Sequence, residues 1–174
     1  MSGVVLWFTG LSGAGKSTIA DLVGSELEAG GALVEYLDGD VVREHLSKGL
    51  GFSKEDRDTN IQRIGWVASR LARHGATVIV SAISPYAETR ARARALVVEF
   101  APFVEIHVAT SVEECARRDV KGLYAKAFNS ELPEFTGVSD PYEAPESPEL
   151  RLETEGRAAA DCAREVLDYL GVRA

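Results

Sequence analysis

The feature that most constrains this chain is a glycine-rich turn near its start, within VVLWFTGLSGAGKSTIADLV at positions 4–23. An apolar run leads into GLSGAGKS (10–17), and a segment with helical spacing follows it. The glycines allow backbone angles that turn successive N–H groups toward one point, and they carry no side chain that would block an anion. The order of strand, glycine-rich turn and helix therefore predicts a phosphate-binding loop.

Each part of this loop has a chemical task. The helix that follows presents the positive end of its dipole to the bound anion. Lys16 can reach the β- and γ-phosphates, and the Ser17 hydroxyl can ligate Mg²⁺. We predict a nucleoside triphosphate site whose phosphate-binding residues are Gly10, Ser12, Gly13, Ala14, Gly15, Lys16, Ser17 and Thr18.

Size and charge exclude several classes of protein. A chain of 174 residues and 18.7 kDa suits a single domain, which we expect to span residues 1–174. A net charge of −8 argues against sequence-independent nucleic-acid binding, which needs a basic face. No apolar run approaches the ~18 residues of a membrane span, and the two cysteines suggest reduced thiols rather than a disulfide framework. We expect a cytoplasmic enzyme with no membrane partner.

Strand-like and helix-like segments alternate along the chain, which is typical of a parallel α/β sheet. Predicted strands cover residues 4–9, 33–37, 76–83, 103–108 and 150–154. We therefore expect an α/β fold of the P-loop NTPase type, a three-layer sandwich with about five parallel strands and helices on both faces.

The helix ends can also be predicted. Ser53 is placed to cap a long helix, and Ser111 with Glu114 forms a capping-box pattern before the next one. The last helix is expected over about residues 157–170, ended by Gly171.

One segment interrupts the alternation. Residues 127–150 contain no Lys or Arg and hold four of the six prolines. This composition fits either an acidic linker or a lid, but the segment includes Phe135 and Tyr142 and structured segments follow it. A long loop inside a compact domain is more often a functional lid, so we predict a lid over about residues 121–150.

A signalling GTPase is the first class of protein that could also carry such a phosphate-binding loop. The Asp119–Gly122 segment fits the DxxG switch pattern, and Ser53–Asp56 resembles the guanine-reading motif. Their order along the chain is the reverse of the GTPase order, and the second is better explained as the acidic first turn of a helix. The third strand ends near Ser81 and Ser84, where motor ATPases usually carry an aspartate. The pattern favours a small-molecule kinase.

The acceptor side of such a kinase is also indicated. LDGDVVR ends the second strand, and the carboxyl ends of parallel strands line the ligand crevice. Asp40 is expected to cap the next helix, with Arg43 one turn later, so that a carboxylate and a cation flank a hydroxyl and an anion. The carboxylate that assists the metal should be Asp38 or Asp40. The alternative is a capping aspartate beside a solvated arginine.

A second group of candidates follows in LGFSKEDRDTNIQR. Arg57 and Asn60 lie three residues apart, hence on one helical face, and Phe52 precedes that helix. An aromatic ring followed by Arg and Asn suits a purine nucleotide with an anionic tail, although Phe52 could instead belong to the core. Arg90, Arg92 and Arg94 on a later helix are expected to be mostly solvated.

Taken together, these motifs resemble the adenylylsulfate kinase family of P-loop kinases. The matching pieces appear in family order over about four-fifths of the chain: FTGLSGAGKST, LDGDVVR, LGFSKEDRDTNIQRI, ISPY, RDVKGLYAKA and FTGVSDPYEAPESPEL. The resemblance implies transfer of the ATP γ-phosphoryl group, with Mg²⁺, to the 3′-hydroxyl of adenosine 5′-phosphosulfate, in sulfate activation. The chain lacks about twenty residues that stand-alone members usually carry before the first strand.

The resemblance also implies roles for individual residues. Phe52 and Phe135 would flank the substrate adenine, and Arg118 would lie near the ATP adenine. Lys16, Asp40 and Lys121 would be catalytic, Asp40 either as a base or as an orienting group, and Ser17 with Asp40 would bind the metal. Ser84 matches a serine that is phosphorylated in some members. The implied substrate-binding residues are Asp38, Asp40, Arg43, Phe52, Arg57, Asn60, Ile83, Ser84, Lys121, Phe135 and Thr136.

The family resemblance further implies a homodimer and a functional link to ATP sulfurylase. Two alternatives stay open: a P-loop kinase of another metabolite or nucleoside monophosphate, and a non-catalytic nucleotide-binding partner of a sulfurylase.

Overall fold

The computed structural model describes residues 3–172. Five strands alternate with seven helices over this range. The strands are β1 (Val4–Thr9), β2 (Val34–Asp38), β3 (Thr77–Ser81), β4 (Phe103–Ala109) and β5 (Leu150–Glu153). The helices are α1 (Lys16–Ala29), α2 (Gly39–His45), α3 (Lys54–Arg73), α4 (Ala87–Val98), α5 (Val112–Arg118), α6 (Leu123–Phe128) and α7 (Ala159–Tyr169).

The strands form one parallel sheet in the order β2-β3-β1-β4-β5. The first strand is central and pairs with β3 on one side and β4 on the other. It is therefore buried on both faces, which explains its unbroken apolar sequence. The carboxyl ends of β1, β2 and β3 meet at one edge, where the phosphate-binding loop begins.

Side chains of β1 alternate between two cores. Leu6 and Phe8 pack in a cluster that includes residues of α1 and α7, whereas Val5 and Trp7 pack in one that includes residues of α3 and α4. Helices thus cover both faces of the sheet, and the predicted three-layer α/β fold is confirmed. All five predicted strands form, with bounds that differ from the prediction by at most two residues.

The predicted helix caps are correct in part. Ser53 caps α3 and Ser111 caps α5, each accepting a backbone N–H bond three residues on. However, the Glu114 carboxylate pairs with Arg117 and Arg118 rather than completing a capping box. Asp40 does not cap α2, because the Asp38 side chain accepts the Asp40 N–H bond instead. The prediction placed the cap two residues too late.

The segment between α5 and β5, predicted as a lid, has a defined path. It starts with α6 and then runs through turns, including a bridge between Thr136 and Asp140. Polar contacts fasten it to α3, to β1 and to the start of α4. Within residues 3–172, no helix combines the length and the apolar character that crossing a membrane requires.

Candidate active site

The glycine-rich loop adopts a backbone that only glycine accommodates at two of its positions. Gly10 has φ of +155°, and a Cβ atom there would lie 2.6 Å from the carbonyl oxygen of Val108. Gly15 has φ of +102° and sits directly before α1. A side chain at either position would strain the turn or collide with β4. The loop therefore depends on glycine for its shape as well as for access.

Lys16 lies over this loop. Its ammonium group donates to the carbonyl oxygens of Gly10, at 2.9 Å, and Leu11, at 2.8 Å. Burial lowers the pKa of Lys16 to about 8, although Asp38 and Asp40 act in the opposite direction. Backbone carbonyls hold the amine where a phosphate would arrive, but they cannot replace the lost hydration. An incoming anion would restore the preference for the charged form.

Oxygen atoms converge beside Ser17, at the ends of β2 and β3. The Ser17 hydroxyl donates to Asp38 Oδ2 at 2.7 Å and lies 3.2 Å from the hydroxyl of Ser81. Oxygen donors of this kind fit Mg²⁺, which usually binds to one or two carboxylates and completes its shell with water and substrate phosphate. Over residues 3–172 no three His, Cys, Asp or Glu side chains form a dedicated metal cage. Asp38 is the carboxylate that contacts the predicted ligand Ser17.

Other elements brace the donor loop. The Thr110 hydroxyl, after β4, donates to the carbonyl of Ala14 at 2.8 Å. The Tyr124 hydroxyl, from α6, donates to the carbonyl of Ser12 at 2.8 Å. Gly13, within the loop, has a left-handed backbone. Thr18, in the first turn of α1, is exposed.

Arg118, predicted near the ATP adenine, lies in the last turn of α5. Its Nε donates to Glu114 at 2.8 Å. Hydrogen bonds from Arg117 and, to a smaller extent, from Arg118 lower the pKa of Glu114 to about 2. The guanidinium of Arg118 thus has an intrahelical partner, and its contact with the nucleotide base stays a prediction.

Asp40 and Lys121 form an ion pair between the first turn of α2 and the start of the lid. Both side chains are largely exposed, Asp40 by 76% and Lys121 by 54%. The two predicted catalytic residues therefore meet although 81 positions separate them. Because the pair is solvent-accessible, a substrate hydroxyl could reach the carboxylate.

Arg43 and Phe52 also form a unit. The guanidinium of Arg43 lies 4.4 Å from the centre of the Phe52 ring, and its Nη1 donates to the carbonyl of Gly51 at 3.0 Å. Phe52 is 61% exposed, so it is not a core residue. An exposed ring with a cation on one face leaves the other face for a flat ligand.

Arg57 is buried on α3 and fastens the lid. Its Nη1 donates to Asp140 Oδ2 at 2.7 Å and to the Thr136 hydroxyl at 3.0 Å. Its Nη2 bonds to the carbonyl of Glu134. Asn60, one turn further along α3, is also buried, and its Oδ1 has no hydrogen-bond partner within the described part of the chain. An unsatisfied buried acceptor facing no protein donor is consistent with a ligand-binding role.

Phe135 belongs to the lid and is partly buried. Its ring packs edge-on against Tyr124, with centroids 5.0 Å apart. Since Tyr124 also bonds to Ser12, this one tyrosine joins the lid to the phosphate-binding loop. The structure does not itself pair Phe135 with Phe52.

Ser84 and Ile83 follow β3 on a strained loop. Ser84 has φ of +43° and is buried, and its hydroxyl accepts a bond from Trp7 Nε1 at 3.1 Å. The carbonyl of Ile83 accepts from the Thr9 hydroxyl at 2.6 Å. In this conformation the Ser84 hydroxyl is enclosed, so its phosphorylation and its contact with substrate stay predictions.

Sequence reasoning was wrong about Arg90. We expected it on a solvated face, yet it is buried: it pairs with Glu105 and donates to the carbonyls of Ser84 and Glu143. Arg94 is also ion-paired, to Glu149, whereas Arg92 is exposed as expected. Helical periodicity identified the helix but could not show that acidic residues from distant segments would cover two of its arginines.

Other contributors were missed because their partners lie far away in the sequence. Tyr124, Asp140 and Glu143 each tie the lid to another element. All three lie within the family-like segments RDVKGLYAKA and FTGVSDPYEAPESPEL. From these segments only Lys121, Phe135 and Thr136 were predicted as site residues, because nothing else in the sequence pointed to the other three.

Comparison with known proteins identifies the family. A sequence model of the adenylylsulphate kinase family matches residues 2–153. The adenylyl-sulfate kinase of Deinococcus deserti is 57% identical over 173 residues, which cover 99% of this chain and 94% of that protein. A probable bifunctional SAT/APS kinase of Sorangium cellulosum is 53% identical over 98% of this chain, which matches 29% of that longer protein.

A solved structure agrees with these relatives. The Mycobacterium tuberculosis APS kinase, in complex with AMPPNP and APS, superimposes with a TM-score of 0.94 at 46% identity over 98% of each chain. Fold, loop geometry and relatives lead to the same assignment: this chain belongs to the adenylylsulfate kinase family.

Proposed function

We propose that this protein transfers the γ-phosphoryl group of ATP to the 3′-hydroxyl of adenosine 5′-phosphosulfate, forming 3′-phosphoadenosine 5′-phosphosulfate and ADP. The observation that carries the proposal is the near-complete match to a kinase solved with AMPPNP and APS, a donor analogue together with the acceptor. The contacts described above support a proposed role for each part of the site.

The donor binds on the glycine-rich loop. Backbone N–H groups and the start of α1 receive the phosphates, and Lys16 is poised above the loop by its bonds to Gly10 and Leu11. A fixed cation at this point stabilises charge that develops during transfer. Mg²⁺ brought in with ATP would neutralise charge on the β- and γ-phosphates. Ser17 and Asp40 are its predicted ligands, and the contact between Ser17 and Asp38 supports adding Asp38 to that set.

The acceptor binds between α2, α3 and the lid. Phe52 and Phe135 take the adenine, and Arg43, Arg57 and Asn60 hold the anionic end. The exposed ring of Phe52 beneath a guanidinium supports this placement. The unpaired Oδ1 of Asn60 can only accept a hydrogen bond, so Asn60 would bind the anionic end through its amide N–H groups and leave Oδ1 for a donor group of the acceptor. The remaining predicted contacts are Asp38, Ile83, Ser84 and Thr136.

Asp40 and Lys121 act on the hydroxyl that receives the phosphoryl group. Asp40 orients the 3′-hydroxyl and takes its proton as the new bond to the γ-phosphorus forms and the bond to the leaving oxygen of ADP breaks. Lys121 pairs with this carboxylate and brings positive charge from the lid. The lid is thus required both to complete the site and to exclude water, which would otherwise accept the phosphoryl group.

The proposal extends to the enzyme's metabolic partner, its oligomeric state and its location. The bifunctional name of the Sorangium relative supports a functional link between this kinase and ATP sulfurylase. We also propose a homodimer and a cytoplasmic location, as the family resemblance implies.

The test is a coupled assay. Purified protein is given ATP, Mg²⁺ and adenosine 5′-phosphosulfate, and the 3′-phosphorylated product is separated by chromatography. We expect one product per ADP formed and no product when Mg²⁺ is chelated. A panel of nucleoside monophosphates and sugars serves as the control, and a metabolite that outcompeted adenosine 5′-phosphosulfate tenfold in kcat/KM would refute the proposal. Nucleotide binding without any turnover would indicate a non-catalytic role.

A further inference from the structure

Arg57 is the junction between α3 and the tip of the lid. Three lid groups bind its guanidinium: the Asp140 carboxylate, the Thr136 hydroxyl and the Glu134 carbonyl. The side chains of Arg57 and Asp140 are only 9% and 24% exposed. An ion pair with this much burial is screened less than a surface pair, so its loss should have a measurable effect.

The Asp140 carboxylate is itself held in place. Its backbone N–H bonds to the carbonyl of Phe135 at 3.0 Å, and its own carbonyl accepts from Gly137 N at 2.7 Å, which closes a tight turn. The Tyr86 hydroxyl donates to Asp140 Oδ2 at 3.2 Å. Burial, together with the Asp140 charge, raises the pKa of Tyr86 and keeps the phenol protonated as a donor. Asp140 therefore presents a pre-oriented carboxylate to Arg57.

The lid does not use the whole guanidinium. An arginine side chain has five N–H donors in a flat fork, and an anion can bind two of them in parallel. The lid bonds occupy Nη1 and one N–H of Nη2, whereas Nε has no hydrogen-bond partner among residues 3–172. Nε and the second N–H of Nη2 are therefore left for a second anion. Asp140 and an acceptor can bind Arg57 together rather than compete for it.

We infer that Asp140 is a positioning residue: from the lid it fixes the Arg57 guanidinium so that the N–H donors not used by the lid bind the anionic end of the acceptor. This inference rests on the proposed function, which assigns that anion to Arg57. It means that Arg57 is correctly oriented only when the lid tip is docked. Acceptor binding and lid closure are then coupled through one side chain.

Asp140→Asn is the main test, because it keeps the shape of the side chain and removes its charge, and Asp140→Ala removes the hydrogen bond as well. Glu131→Gln is the matched control, since Glu131 is an exposed lid acid with no side-chain partner among the described residues. We expect the KM for adenosine 5′-phosphosulfate to rise about tenfold in Asp140→Asn and further in Asp140→Ala. The KM for ATP should change less than twofold, and the control should match the wild type.

A second measurement does not depend on the reaction. Amide hydrogen exchange of residues 129–149 in the ligand-free protein should accelerate at least fivefold in both Asp140 variants and not in the control, while α1 keeps its protection. Faster exchange with an unchanged acceptor KM would overturn the positioning role, as would a lower acceptor KM, since that would mark Asp140 as a competitor. If the wild type makes no phosphorylated product, the proposed function fails, while hydrogen exchange still tests the contact between Asp140 and Arg57.

Discussion

In the proposed function the phosphate-binding loop and the lid share one task, holding a nucleotide phosphate, but they are built in different ways. The loop uses main-chain geometry within eight consecutive residues, stabilised by glycines and by short bonds from Lys16 to Gly10 and Leu11. The lid uses side chains that meet across large sequence distances, 83 positions for Arg57 and Asp140 and 81 for Lys121 and Asp40. One site is local and preformed, and the other exists only when distant segments are docked.

Because the two sites are built differently, they should be sensitive to different substitutions. A main-chain site fails when its few glycines or its single lysine change, but it needs little help from the rest of the chain. A side-chain site can lose affinity one contact at a time, and any event that opens the lid weakens all of its contacts together. Tyr124 is the exception, because it touches both regions.

The largest expected effect comes from the donor side. Lys16→Ala should lower kcat by about a hundred- to a thousandfold, because a fixed cation on developing phosphoryl charge is typically worth ~3–4 kcal/mol. Hydrogen exchange of the lid should stay unchanged, which would separate the two regions. Steady-state kinetics provide the measurement, with the exposed Lys126→Ala as the control. Turnover close to that of the wild type would contradict the role of Lys16.

Asp40→Asn should lower kcat by about a hundredfold, the lower range for loss of a general base, and leave the affinity for ATP within about twofold. Glu44→Gln, which changes an exposed acid on the same helix, should leave both kcat and the affinity for ATP unchanged. Equal losses of turnover and of ATP binding would instead make Asp40 a structural residue of the donor site. Kinetics and calorimetric ATP titration distinguish these outcomes.

The pH dependence of ATP binding tests the donor site separately from the lid. Lys16 binds phosphate when it is protonated, and its pKa in the ligand-free protein is about 8. Affinity should therefore be flat below pH 8 and fall by up to about tenfold per pH unit above it, since the proton must be regained on binding. Lys16→Arg, which stays charged, should show a flat profile up to pH 9.5. Wild-type affinity that is constant to pH 9.5 would contradict the low pKa.

The smallest effect concerns the link between the two regions. Tyr124→Phe removes the bond to the Ser12 carbonyl but keeps the ring that packs on Phe135. A neutral hydrogen bond contributes about 1 kcal/mol, so we expect about a fivefold rise in the KM for ATP and little change for the acceptor. Tyr169→Phe, which removes a half-exposed phenol at the end of α7, is the control for loss of a phenol outside this link. An acceptor KM that rose as much as that for ATP would show that the lid moves with the hydroxyl.

The same contrast explains what could be predicted from the sequence. The strands, the layers and the whole donor loop follow from patterns between neighbours in the chain, such as the apolar run into GLSGAGKS and the capping serines of α3 and α5. The family resemblance also identified Arg57 and Lys121 as candidates. Local sequence patterns were therefore enough to predict the strands and helices and the types of residue that the site needs.

What could not be predicted are partners from distant segments. The burial of Arg90 depends on Glu105 and on carbonyls of two loops, and nothing near Arg90 in the sequence announces them. Likewise, the role of Asp140 appears only once the lid is docked on α3. The prediction that Asp40 caps α2, where Asp38 does so, is a smaller error. It is common because helix ends predicted from the sequence are often displaced by one or two residues.

One contact described above bears on how the protein is made. The first turn of α4 has no side-chain cap of its own, and the Ala87 N–H bonds to the carboxylate of Glu143, which lies 56 positions later. During synthesis α4 therefore leaves the ribosome well before the residue that completes its beginning. We expect nascent chains that end before Glu143 to fray at this helix, and to settle only when the last strand is about to join the sheet.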